Sequence, residues 1–164
     1  MYHIDIQNAA DKALSPALSL LKQWAKKVLS SKKLNKKLDS AELSIRIVTV
    51  DEMSELNSTY RHKKGPTNVL SFPFALSEDI QLEIPLLGDI VICAEVVNRE
   101  ALEQGKTAEE HWAHMIVHGI FHLLGYDHET DEEADIMEPL EIEMMHTLGF
   151  ANPYKHRDDI KQYD

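Results

Sequence analysis

Three histidines near the C-terminal end of the chain have the spacing of a metal site. His118 and His122 are four residues apart in the run HGIFHLLGYDH. On a helix they are offset by only about 40°, so both can bind one ion. Gly125 can end that helix in the left-handed conformation, and the chain can then bring back His128 as a third ligand. Three imidazoles leave a tetrahedral ion one open position, which predicts a catalytic metal site.

The residue after the first of these histidines separates the site from that of a protease. A zinc protease of the HExxHxxGxxH type has a glutamate at this position, and the glutamate acts as general base. Here the position is Gly119. Since glycine can neither accept nor donate a proton there, the pattern predicts a metal-dependent hydrolase whose substrate is not a peptide.

Two neighbouring residues leave alternatives open. His114 lies one turn before His118, but histidines at i, i+4 and i+8 span about 12 Å, which is too far for one ion. His114 is therefore predicted to support the site indirectly or to be structural. Asp127 suits two roles equally, as a hydrogen-bond partner of a ligand histidine or as part of the turn. The other histidines, including His111, are predicted to lie on the surface.

Arg61 is the candidate for handling charge on a substrate. It begins the basic segment RHKKGP. A guanidinium can hold two non-bridging oxygens of a phosphodiester while negative charge develops on them, and Lys63 and Lys64 would guide the backbone of a polyanion. Composition alone favours the interpretation of Arg61 as an ordinary surface arginine.

The elements that must position these residues follow from the apolar pattern. Asp51 is the predicted N-cap of the second helix and Thr107 that of the fourth. The last helix has an apolar stripe formed by Ile136, Met137, Leu140 and Met144. The predicted helices span about 15–30, 51–61, 94–104, 107–124 and 132–148, and the predicted strands span about 43–50, 69–72 and 86–93. This is a single α+β domain over 1–164 with a small mixed sheet, about five helices, a core of about 10–150 and a polar tail at 151–164.

Charge is distributed unevenly along the chain. The net charge is −11, yet the first 75 residues contain 12 Lys and Arg against 7 Asp and Glu, while the remainder contains 5 against 21. A basic face could meet a polyanion while the acidic remainder keeps the protein in solution. The lysine run from Lys22 to Lys37 is interpreted as a solvated helix face followed by a loop.

Composition also predicts a compartment. Cys93 is the single cysteine, which excludes an internal disulfide and suits a reducing environment. The N-terminus lacks the pattern of a signal peptide, and no run approaches the roughly 18 apolar residues of a membrane span. The sequence therefore predicts a cytoplasmic protein without a membrane partner.

Four motifs together resemble one known family. They are LNSTYR at 56–61, PTNVLSFP at 66–73, LGDI at 87–90 and HGIFHLLGYDH at 118–128. In this combination and order the chain resembles, over about residues 43–150, the endoribonuclease YbeY family of bacterial rRNA maturation factors.

The resemblance implies a specific activity and specific roles. His118, His122 and His128 match the family's zinc ligands, and Arg61 matches its functional arginine. The fold is expected to be similar to that of zinc proteases around the metal helix. The implied activity is cleavage of single-stranded RNA, in maturation of the 16S rRNA 3′ end and in quality control of defective ribosomes. RNA and the ribosome or its assembly proteins are the implied partners.

Two other functions remain open at this point. One is a non-catalytic ribosome-associated assembly factor, in which a structural zinc ties the segment 125–128 onto the helix. The other is a metalloprotease, which Gly119 disfavours. Three imidazoles also suit nickel, copper or cobalt, and the pattern assigns no general base.

Overall fold

The computed structural model describes residues 1–34, 38–74, 84–127 and 129–154. Within these residues the chain forms a single domain with one mixed sheet of four strands and five α-helices, which confirms the predicted α+β class. The strands are β1 (Tyr2–Asn8), β2 (Ala41–Val48), β3 (Val69–Pro73) and β4 (Leu86–Cys93). The α-helices are α1 (Leu18–Leu29), α2 (Val50–Arg61), α3 (Ala94–Glu103), α4 (Ala108–Leu123) and α5 (Asp131–Thr147), and a 3₁₀ turn spans Lys12–Leu14.

The sheet has the strand order β1-β2-β4-β3. Strands β1, β2 and β4 are parallel, and β3 is antiparallel to β4. Strand β1 was not among the predicted strands, although its residues alternate between polar and apolar. Ile4 of β1 is buried in the core, and β1 pairs with β2 along its whole length.

The two faces of the sheet pack against different helices. On one face Ile45 and Ile90 are fully buried in the main core, together with Trp112 and Phe121 of α4. On the other face a smaller cluster, which includes Met53 of α2, covers part of the sheet. Helix α4 packs on β3 and β4 as well as on α1, α3 and α5, so it lies at the centre of the molecule.

One predicted helix start is wrong by two residues. Thr49, not Asp51, caps α2, since its hydroxyl accepts the backbone N–H of Glu52 at 3.3 Å. Asp51 lies in the first turn, where its charge suits the positive end of the helix dipole.

None of the helices in the described part of the chain is long and apolar enough to cross a membrane.

Candidate metal centre

Helix α4 carries the two histidines with metal-ligand spacing. Thr107 caps its first turn as predicted, by accepting a backbone N–H at 3.1 Å. At its other end Gly125 has a φ of 96°. The N–H groups of Gly125 and Tyr126 donate to the carbonyls of His122 and Phe121, which together form a Schellman motif. The predicted end of the helix is thus confirmed, and the chain reverses directly after His122.

The rings of His118 and His122 face each other across one turn of α4. Their Nε2 atoms lie 3.0 Å apart. Two nitrogens bound at about 2.0–2.1 Å to one tetrahedral ion are separated by about 3.3 Å. The pair therefore fits two corners of a metal site with little movement. His128, the predicted third ligand, lies outside the described residues.

A buried carboxylate that the sequence analysis missed contacts His118 from behind. Glu141 of α5 is fully buried. Its Oε2 lies 2.6 Å from Nε2 of His114 and 3.5 Å from Nδ1 of His118, and its Oε1 lies 3.4 Å from the same Nδ1. His118 thus presents its two nitrogens to different partners, since Nε2 faces His122 and Nδ1 faces Glu141.

The sequence contains a feature that could have identified Glu141 as a buried polar residue. It occupies the position in the buried face of α5 that lies four residues after Met137 and three before Met144. An acidic residue at such a position must find a polar partner, because burial of an unpaired charge is costly. The predicted stripe instead included Ile136, which is 60 % exposed.

The cluster of His114, His118 and Glu141 could hold a metal ion by itself, since one ligand atom of each lies within 4.8 Å of the others. However, the 2.6 Å between His114 Nε2 and Glu141 Oε2 is a hydrogen-bond distance. Two donor atoms on one tetrahedral ion would be about 3.3 Å apart. The geometry of this pair therefore favours a hydrogen bond.

The pKa shifts of Glu141 and His114 indicate which member of this buried pair is charged. Burial alone would raise the pKa of Glu141, but hydrogen bonds from His114 and His118 outweigh it and lower that pKa to about 2. Burial lowers the pKa of His114 against the pull of the carboxylate. Glu141 is therefore an ionised carboxylate at neutral pH, and His114 is a neutral imidazole that donates to it.

Gly119 lies where a larger side chain does not fit. A Cβ atom on Gly119 would come within 2.9 Å of Cγ2 of Ile90, which is fully buried in β4. The Gly119 carbonyl also accepts a hydrogen bond from Ser71 Oγ at 3.0 Å, which links β3 to α4. The close approach of α4 to the sheet thus gives a physical reason why the glutamate of the protease motif has no place here.

Arg61 is the last residue of α2, and the loop that follows it is held in a fixed conformation. His62 adopts a left-handed conformation with a φ of 56°, and its N–H donates to the Asn57 carbonyl. The N–H of Lys63 donates to the same carbonyl at 3.2 Å, and Asn57 Nδ2 donates to the Gly65 carbonyl at 2.9 Å. Asn57 is buried, so a single side chain and its carbonyl anchor the exposed Arg61 and Lys63.

These two basic residues share one cleft with the histidine pair. Arg61, Lys63, His118, His122 and Asp127 all line a cleft of about 590 Å³. Helix α2, the loop before β3, β3 itself and the turn after α4 complete its wall with Asn57, Thr67, Asn68, Val69, Leu70, Ser71, Pro73, Gly125, Tyr126 and Glu129. Cationic side chains and imidazoles therefore line the same space, together with the carboxylates of Asp127 and Glu129.

Two other candidate residues, Lys64 and His114, do not line the cleft. Lys64 is exposed beyond the cleft wall. His114 is buried behind His118, and its ring contacts Tyr154 edge-on at 5.4 Å between centroids. Neither side chain lines the cleft as it stands, although both lie next to residues that do.

The predicted surface position of His111 is wrong. His111 is buried, and its Nε2 lies 3.0 Å from Oε1 of Glu100 on α3. Glu100 also accepts a hydrogen bond from Asn68 Nδ2 at 3.0 Å. The histidine is enclosed because α3 packs on α4. The spacing of apolar residues within α4 does not show this contact with another helix.

Comparison with known proteins identifies the family. The family profile described as Endoribonuclease YbeY matches residues 5–149. The solution structure of TM1509 from Thermotoga maritima is similar to this chain, with a TM-score of 0.54 and 27 % sequence identity. That similarity covers 94 % of this chain and 99 % of the other. The four sequence motifs all lie within the matched range, and the chain belongs to the endoribonuclease YbeY family.

Proposed function

We propose that this protein is a zinc-dependent endoribonuclease specific for single-stranded RNA, which acts in 16S rRNA 3′-end maturation and ribosome quality control. Membership of the family supports an RNA-cleaving hydrolase with a role in rRNA processing. The observation that carries the proposal for this chain is the shared cleft, in which the Nε2 atoms of His118 and His122, 3.0 Å apart, face the same space as Arg61.

The proposed metal site holds one ion between His118, His122 and His128. The spacing of the first two Nε2 atoms and their place on one turn of α4 support it. When bound, the ion would supply a Lewis acid beside the scissile phosphate and would lower the pKa of a coordinated water towards about 7. Zinc is the proposed ion, and three imidazoles suit nickel, copper and cobalt as well.

Arg61 is the proposed stabiliser of the transition state. Its guanidinium remains protonated, so it can hold the non-bridging oxygens but cannot act as the base. The anchored loop supports this role, because Asn57 fixes the backbone on which Arg61 and Lys63 are carried. Lys63 and Lys64 would contact the RNA backbone, an electrostatic contribution that salt weakens.

The nucleophile is either water or the 2′-hydroxyl of the RNA. These routes leave different ends, because attack by the 2′-hydroxyl produces a 2′,3′-cyclic phosphate and direct attack by water does not. Mass spectrometry of the cleaved ends therefore decides between them.

The proposal is tested by cleavage of a labelled single-stranded RNA and of the same sequence in a duplex. We expect zinc-loaded protein to cleave the single strand only, and His118→Ala purified identically to be inactive, which excludes a contaminating nuclease. Cleavage by both proteins, or by neither, would contradict the proposed activity.

The proposed role in 16S rRNA 3′-end maturation needs a separate experiment in cells. A strain that relies on His118→Ala should accumulate 16S rRNA with an unprocessed 3′ end. If that variant supports normal processing, the protein acts as a non-catalytic assembly factor and the proposal is wrong.

A further inference from the structure

We infer that Glu141 is the positioning residue of the metal centre: it accepts the Nδ1–H of His118 and thereby directs the lone pair of Nε2 at the ion. This inference rests on the metal site in the proposed function. It assigns the orientation of the first ligand to Glu141 of α5, which lies 23 residues after His118.

The two ring nitrogens of His118 have different surroundings, and this supports the inferred role of Glu141. An imidazole binds a metal through one nitrogen, and the hydrogen bond made by the other nitrogen sets the tautomer and the ring orientation. Here Nε2 faces His122 at 3.0 Å, and Nδ1 faces both oxygens of Glu141 at 3.4 and 3.5 Å. A carboxylate accepts and does not donate, so the proton belongs on Nδ1 and the lone pair on Nε2.

The burial of Glu141 shows that its place is specific. The other buried residues of α5 are the methionines Met137, Met144 and Met145, so a single carboxylate interrupts an apolar face. Burial of a carboxylate costs several kcal/mol unless strong partners compensate. An apolar residue of the same length would cost nothing of this kind, so packing alone does not account for a glutamate here.

His114 holds the carboxylate in place. Its Nε2 lies 2.6 Å from Glu141 Oε2, which is short for a hydrogen bond and typical of a charged acceptor. The three side chains thus form a relay from His114 through Glu141 to His118. His114 lies at the buried end of this relay, and His118 lies at the end that lines the cleft.

The first test needs no substitution at Glu141. In metal-free, ¹⁵N-labelled protein, the ring nitrogens of His118 are assigned by comparison with His118→Ala, and their shifts report the tautomer. We expect the Nδ1–H form. The Nε2–H form in the wild type would overturn the inference, whether or not the protein cleaves RNA.

The second test measures metal affinity by competition with a chromophoric chelator. Glu141→Gln keeps the shape of the side chain but removes its negative charge and replaces one acceptor oxygen by an NH2 donor, and we expect zinc affinity to fall about 10–100-fold. Glu100→Gln is the matched control, since Glu100 contacts His111 of the same helix but not His118. It should bind zinc as the wild type does.

Thermal unfolding of the metal-free proteins shows whether Glu141→Gln remains folded, and Glu141→Asp, which keeps the charge on a shorter side chain, serves if it does not. A folded variant with unchanged zinc affinity would overturn the inference. A different result, in which His122→Ala binds zinc normally and Glu141→Gln does not, would also overturn it and make Glu141 a direct ligand. If the wild type binds no zinc, the proposed function fails while the tautomer still tests the contact.

Discussion

At the residue scale, Gly119 affects both the packing of α4 on the sheet and the chemistry that the site can perform. A glutamate at this position would make the run a protease motif, yet even one Cβ atom would meet the buried Ile90 at 2.9 Å. The space that a base would need is filled by the sheet. The chain therefore combines a helix that has metal-ligand spacing with close packing on Ile90, which leaves no room for that base.

We expect Gly119→Ala to destabilise the protein by about 1 kcal/mol. Overpacking costs about 1–3 kcal/mol, which outweighs a gain of about 1 kcal/mol in helix propensity. Chemical denaturation gives the difference. In an Ile90→Ala background, which removes all three close carbon atoms, the substitution should cost less, and strictly additive effects would contradict the packing argument.

Arg61 is predicted to act on the reaction and not on the metal. Arg61→Ala should lower kcat for single-stranded RNA about 100–1,000-fold, the usual loss when one donor to a developing oxyanion is removed. Arg61→Lys should restore only part of it, because an ammonium cannot bind two oxygens side by side. Chelator competition should give unchanged zinc affinity for both variants, and full activity of Arg61→Ala would exclude this role.

At the element scale, the ends of helices place the functional groups. The Schellman motif after α4 turns the chain at Gly125, and the left-handed His62 ends α2. Between them lies the cleft. The buried Asn57 joins the end of α2 to the loop that follows, because its side chain donates a hydrogen bond to the Gly65 carbonyl. The loop is therefore held in one conformation.

Asn57→Ala is expected to loosen the loop that follows Arg61. Losing the 2.9 Å bond to the Gly65 carbonyl should cost about 1 kcal/mol of stability and lower kcat, because Lys63 and the loop beside Arg61 would no longer be held in one conformation. Cleavage rates and zinc affinity measured on the same preparations check this. Ser58→Ala, on the exposed side of α2, is the control that should change neither.

The packing of α3 on α4 predicts a pH dependence. Burial would raise the pKa of Glu100, but hydrogen bonds from His111 and Asn68 lower it below its ordinary 4.5. The folded protein therefore binds fewer protons at this group than the unfolded chain. The stability from this group is complete above about pH 4.5 and is lost as the pH falls below that value.

Denaturation from about pH 6 to about pH 3 should therefore show a steeper loss of stability for the wild type than for Glu100→Gln. Glu55→Gln, at an exposed position of α2, should retain the wild-type slope. Parallel curves for the wild type and Glu100→Gln would contradict the assigned contacts.

At the scale of the whole molecule, charge is divided between the two halves of the chain. The protein has a net charge of −11, yet the loop with Arg61, Lys63 and Lys64 belongs to the basic half. The lysines of α1, including Lys26 and Lys27, lie on its exposed side, as expected of a solvated face. Attraction of RNA is therefore expected to depend on the loop at the cleft.

Salt titration of RNA binding separates these two basic segments. Each phosphate contact that is lost should reduce the slope of log affinity against log salt by about 0.7 for a single strand. We expect this for Lys63→Ala and for Lys64→Ala, and an unchanged slope for the double variant Lys26→Ala and Lys27→Ala. The opposite pattern would place the RNA on α1.

Much of the site could be predicted because its signals are local. The spacing of His118 and His122 and the helix end at Gly125 depend on residues within a few positions of one another, and strand β4 has the predicted bounds Leu86–Cys93. Helical and strand periodicity records such relations directly. The family motifs are equally local, and the family they indicated is confirmed.

Only the tertiary structure decided which distant groups meet these residues. Glu141 lies 23 residues from His118 in sequence, and Ile90 reaches Gly119 from another strand. The pairing of β1 with β2 and the enclosure of His111 by α3 are of the same kind. A local pattern shows which face of an element is buried, whereas the partner at that face depends on how whole elements pack. The spacing of His118 and His122 could therefore be deduced from the sequence, but the contact of Glu141 with His118 could not.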